Sequence, residues 1–178
     1  NRLNTGGSPL TDQEIRNCIF RGISNKFNEF LKRIASNDSF IKLIEPTERQ
    51  SSELYPEELV LRFASLCNTS NGLKRNILSA HMTEYMKEVI AQDSFDYKTE
   101  DILLRVIDLL EPLGKEIFRY DNGVFSTSLY DAITIGIASN IDYYEKMGSK
   151  VVSDKIWELK QNEDFKRNTG SASNSKTR

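Results

Sequence analysis

Apolar positions recur three and four residues apart along most of the chain, and polar breaks divide them into helix-sized blocks. Ile15, Cys18 and Ile19 form the stripe of a first helix, expected over 12–20 and closed by Gly22. Phe27, Phe30, Leu31 and Ile34 mark a second helix behind a Ser24 or Asn25 cap. Phe40, Leu43 and Ile44 mark a short third one, started by Asp38 or Ser39. The polar run 45–54, with Pro46, reads as a loop. Pro56 then suits the first position of a helix whose Glu57 and Glu58 complement its dipole. Leu59, Phe63 and Leu66 give it one apolar face, with Val60 and Cys67 beside it. Glu58 and Arg62 stand four apart, the spacing of a solvated ion pair.

Residues 68–72, Asn-Thr-Ser-Asn-Gly, read as a turn. A long helix is expected over 73–91, striped by Ile77, Leu78, Met82, Tyr85, Met86, Val89 and Ile90. Thr99 is the expected cap of the next, with Ile102, Leu103, Val106, Leu109, Leu110, Leu113 and Ile117 at helical spacing. This block is the most hydrophobic and the candidate for the centre of the fold, and Pro112 with Gly114 predicts a kink or split near Glu111. Tyr120-Asp121-Asn122-Gly123 carries a hairpin-type turn signal, which leaves 117–120 and 124–126 between a short strand pair and a helix end. Ser126 or Ser128 starts a helix to about Met147, with Leu129, Ile133, Ile137 and Ile141 in a row and Gly136 as a sign of close helix packing. A last helix, 149–161, carries Val152, Ile156, Trp157 and Leu159. The pattern predicts an all-α fold, an irregular bundle of seven to nine helices over 1–165. A basic Ser/Asn-rich tail follows at 166–178, flexible by composition, with phosphate contact as its functional alternative.

Composition adds bounds. The 178 residues suit one domain with a real core. A net charge of −2 gives no global electrostatic case for nucleic-acid binding. Cys18 and Cys67, without a C-x-x-C, read as free buried thiols in a reducing, cytoplasmic compartment. No apolar run is long enough to span a membrane. His81 is the single histidine, so no metal site is expected and a core or part-exposed role is.

The stretch richest in chemistry is Arg2-Leu3-Asn4-Thr5-Gly6-Gly7-Ser8-Pro9-Leu10-Thr11-Asp12-Gln13-Glu14-Ile15-Arg16-Asn17. Adjacent glycines allow positive φ and close approach of another group. Thr11 and Glu14 have capping-box spacing, and the positive end of the helix they start favours an anion. On spacing alone this is also what any capped helix after a turn looks like. No P-loop, dinucleotide fingerprint, zinc pattern or nucleophile elbow occurs, and no self-contained active site is visible.

RLNTGGSPLTDQEIRNCIFRG resembles the loop–helix signature of the GmrSD-type restriction endonuclease N-terminal domain, a ParB/sulfiredoxin-like family. YPEELVLRFASL at 55–66 is similar to that family's E-L-V-L-R-F helix, and NEDFKRNTGSASNSKTR at 162–178 to a stretch near its end. The matches run in the family's order across the chain. The family's D-G-Q-Q-R-type catalytic motif does not occur, so the resemblance implies the C-terminal helical portion of a longer α+β protein, inactive alone. It implies a parent that hydrolyses a nucleoside triphosphate, with a divalent cation, and restricts foreign DNA. Arg2, Asn4, Thr5, Gly6 and Gly7 would line the nucleotide pocket, and Gln13, Glu14 and Arg16 would hold that loop. Arg62 would anchor it from across the core. The implied partners are the missing N-terminal ParB-like region and DNA. The alternative is a non-enzymatic helical module for protein or DNA interaction.

Overall fold

A computed structural model describes residues 9–20, 22–23, 25–69 and 77–169. Among them the fold is all-α, with ten α-helices, two 3-10 turns and a single antiparallel bridge between Arg119 and Phe125. The helices are α1 (Asp12–Phe20), α2 (Asn25–Ala35), α3 (Asp38–Ile44), α4 (Glu48–Ser52), α5 (Tyr55–Cys67), α6 (Leu78–Gln92), α7 (Tyr97–Leu110), α8 (Thr127–Ala138), α9 (Ile141–Gln161) and α10 (Glu163–Thr169). None is long and apolar enough to cross a membrane.

The centre is α5 rather than α7. It packs against α1, α2, α4, α6, α7 and α8. Leu59, Val60, Leu61, Phe63 and Ala64 have no exposed surface, while Glu57, Glu58 and Arg62 leave one side of the helix polar and partly open. Two aromatic clusters flank it. Phe27 and Phe30 of α2 meet Phe95, with ring centroids 5.3 and 4.5 Å away. On the other side Phe118, Phe125 and Tyr130 meet within 5.3–6.1 Å.

Several boundaries differ from the sequence expectation for local reasons. The expected loop 45–54 contains α4, started by a capping box. The Gln50 amide donates to Thr47 Oγ1 (3.2 Å) and the Thr47 amide to Gln50 Oε1 (2.9 Å). No residue of α4 is buried, so no apolar period announced it. Asp96, not Thr99, caps α7, and Thr99 lies buried inside that helix. Ile77 stands 69% exposed as the extended residue before α6 instead of joining its stripe. Both cysteines are free but exposed.

The split after Leu110 is present. One 3-10 turn covers Glu111–Leu113, Gly114 follows at φ 74°, and a second turn covers Lys115–Phe118. Arg119 then closes α3, donating to the carbonyls of Leu43 (3.2 Å) and Ile44 (2.7 Å), which have no partner inside that helix. The helix expected through Met147 breaks at Ser139–Asn140, where Ser139 Oγ donates to the Ile135 carbonyl (2.8 Å). Leu129, Ile133, Ile137 and Ile141 nevertheless stay buried across the break. Gly148 (φ 79°) interrupts α9 where an end was expected. Helix α10 runs on through Thr169.

Gly136 does not mark close packing. A Cβ there would meet nothing within 4 Å among the described residues. It opens instead, with Ser128, Ala132 and Ile135, onto an apolar groove of about 580 Å³ walled by Leu66, Leu78 and Phe165. Gly136→Ala is therefore expected to raise the unfolding free energy by about 1 kcal/mol through helix propensity alone, read as a higher urea midpoint at unchanged slope.

Candidate functional site

Helix α1 begins as its sequence requires. The Thr11 amide donates to Glu14 Oε2 (2.9 Å), the Glu14 amide to Thr11 Oγ1 (3.2 Å), and Thr11 Oγ1 reaches the Glu53 carbonyl (3.2 Å) at the end of α4. Glu14 thus works as a cap. Asp12, also in the first turn, accepts from Ser79 Oγ of α6. The chain's own carboxylates already complement the positive end of α1, which removes the expected preference for an anion there.

The orientation of α1 is the reverse of its apolar stripe. Ile15, Cys18 and Ile19 point outward, Ile15 and Ile19 at 42% and 56% exposure, while Gln13, Arg16 and Phe20 are buried. Arg16 accounts for the inversion. Its Nη1 donates to Gln13 Oε1 (2.8 Å), its Nη2 to Ser79 Oγ (2.9 Å) and its Nε to Thr83 Oγ1 (3.1 Å). Glu58 Oε2 of α5 lies 3.6 Å from Nη1. Burial pulls the guanidinium below its ordinary value, and Glu58 and Asp12 pull it back. An arginine keeps its proton under such a shift, so α1, α5 and α6 meet around one buried, neutralised charge. Gln13 Nε2, also buried, has no hydrogen-bond acceptor among the described residues.

Arg62 does not pair with Glu58, which faces Arg16. Its Nε donates to Asp131 Oδ1 (2.6 Å) and Oδ2 (2.8 Å) of α8, beside the contact of Tyr55 Oη with Thr127 Oγ1 (3.3 Å). Asp131 also lines the α8 groove. Burial raises the Asp131 carboxyl above its ordinary value, and Arg62 opposes this. A carboxyl raised by folding adds stability below its ordinary value, and that stability is lost as pH climbs through the folded value. The stability of the wild-type chain relative to Asp131→Asn is thus expected to fall from acid pH towards neutrality in paired urea titrations. A rise would mean that Arg62 outweighs burial.

Arg2, Asn4, Thr5, Gly6 and Gly7, expected to line a nucleotide pocket, lie outside the described residues. Of the supporting residues, Gln13, Glu14 and Arg16 come together at α1, and Arg62 stands apart with Asp131. The sequence reading missed Ser79, Thr83 and Asp131. The first two had only a weak signal, a pair of hydroxyls four apart in the first half of α6, and Asp131 had a clearer one as the lone charge in α8. His81 is a core residue, its Nε2 3.0 Å from Thr69 Oγ1. No group of three potential metal ligands occurs among the described residues. No family model, curated protein or solved structure matches the chain.

Proposed function

We propose that this chain is the helical portion of a GmrSD-type, nucleoside-triphosphate-dependent DNA restriction protein, in which it buttresses a nucleotide site completed by a ParB-like region. The observation that carries the reading is the inward pair Gln13 and Arg16. A nine-residue helix buries a guanidinium and an amide while leaving its isoleucines outside, an arrangement that fixes its start and not one that maximises apolar burial. On this reading the fixed start of α1 serves to hold the chain that leads in from residues 2–7. A buried amide donor without an acceptor costs about 1–3 kcal/mol, so Gln13 Nε2 is suited to hold a backbone carbonyl of that segment. With Asp12 and Glu14 at the helix start, loop amides and Arg2 meet the phosphates, and a divalent cation between them belongs to the other half of the site. Catalysis, and any nuclease, lies outside this chain.

The test is nucleotide binding by the intact protein. Asn4→Ala and Arg2→Ala should lower affinity for a fluorescent nucleoside triphosphate analogue at least tenfold, about 1.4 kcal/mol, with circular dichroism unchanged. Unaltered affinity would favour the second reading, a helical interaction module without nucleotide contact, for which the open α8 groove speaks.

A further inference from the structure

We infer that α10 is a strap: it docks on the α8 groove through Phe165 alone and comes off at Asn162 while the rest of the bundle stays folded. The polar groups of α10 need nothing from the bundle. The Phe165 amide donates to Asn162 Oδ1 (2.8 Å) and the Lys166 amide to the Asn162 carbonyl (3.0 Å), so the residue just before the helix caps it. Lys166 Nζ donates to Glu163 Oε1 (3.0 Å), Asn168 Nδ2 to the Asp164 carbonyl (2.7 Å) and Thr169 Oγ1 to the Phe165 carbonyl (2.6 Å), and Arg167 lies 3.6 Å from Asp164. Among the described residues, none of its hydrogen bonds or ion pairs reaches another helix. Helix α4 also buries no residue, but Thr11 ties its end to the start of α1.

One side chain holds α10 in place. Phe165 is the only apolar residue in Glu163–Thr169. It is half-buried, packs on the core, and with Thr169, one turn on, walls the groove. At its other end α10 hangs from a single extended residue between two helices, Asn162 (φ −69°, ψ 114°), and one residue that absorbs a change of chain direction is what a hinge needs. A helix of seven residues does not persist by itself in water, so the order of α10 reports the docking of Phe165. The groove then has two widths. With α10 docked, Phe165 faces Leu66 and Leu78 across a floor of Ala132, Ile135 and Gly136. With α10 off, that floor loses one wall. Ala132 and Gly136 also border a second hollow, of about 200 Å³, between α8 and α9, so the open state joins two apolar surfaces along α8.

Amide hydrogen exchange of the 178-residue chain, resolved by residue, tests the strap. Amides 166–169 should be protected, yet exchange at least about a hundredfold faster than those of α5 and α8, at a rate that low urea leaves unchanged, as local opening requires. Phe165→Ala should speed exchange in α10 by about tenfold, the effect of losing roughly half the burial of a phenyl ring, with α5, α8 and the thermal midpoint unaltered. Phe165→Leu should restore most of the protection. Exchange of 166–169 at the rate of an unstructured peptide would overturn the inference, because nothing would then be docked. Exchange in step with α5 and α8 would overturn it too, since α10 would open only with the whole bundle. Unchanged protection in Phe165→Ala would show that Phe165 is not the hold, and a lowered thermal midpoint would make it a core residue; either result overturns the strap.

Discussion

Replacing Arg16 by alanine is expected to destabilise the chain by about 3–5 kcal/mol, lowering its thermal midpoint by on the order of 10 °C. The side chain is 2% exposed, and its donors serve Gln13, Ser79 and Thr83, with Glu58 beside them. Truncation leaves the Gln13 carbonyl oxygen buried without a donor and the Glu58 carboxylate facing no cation, and it opens a void where α1, α5 and α6 meet. Arg16→Lys should recover only part of the loss, because a single ammonium cannot span Gln13, Thr83 and Ser79. Urea unfolding followed by circular dichroism reads both. If Arg16→Ala costs less than about 1 kcal/mol, the range of a surface pair, the inward packing of α1 is wrong and the isoleucines belong inside.

Phe30→Ala should cost about as much, 3–5 kcal/mol by roughly the usual scale for burying and then deleting a phenyl ring. Phe30 has no exposed surface, and its ring lies 4.5 Å from Phe95 and 5.8 Å from Phe27. These contacts join α2 to the connection between α6 and α7, far along the chain, so the void cannot collapse by a local shift. Here the loss comes from apolar area and cavity, with no charge involved. It should therefore be insensitive to salt, and Phe30→Leu should recover most of it. A small loss would mean that the aromatic cluster repacks freely.

The two variants separate what could be read along the chain from what could not. Phe27, Phe30, Leu31 and Ile34 recur at helical spacing, and each is buried. The split at Pro112 and Gly114 and the capping box of Thr11 and Glu14 were equally legible, because each depends on neighbours within one turn. The same stripe logic failed at α1. Ile15, Cys18 and Ile19 have the right period, but period says only that residues share a face. It does not say which face the rest of the molecule needs. That was decided by Ser79, Thr83 and Glu58, distant in sequence, which together satisfy a guanidinium that no local pattern marks as internal. Arg62 is a parallel case, since its partner Asp131 comes from α8 and not from the preceding turn.

The sequence by itself determined helical class, most helix positions and the aliphatic core, since propensity, caps and period are local properties. Only the tertiary structure decided which face of α1 turns inward, which acids Arg16 and Arg62 meet, that α5 is the centre, and that Gly136 opens a groove instead of sealing a contact. The physical reason is the same each time. A buried charge or an open groove is defined by groups that the fold gathers from remote helices, and their energies have no counterpart in the order of residues along any one of them.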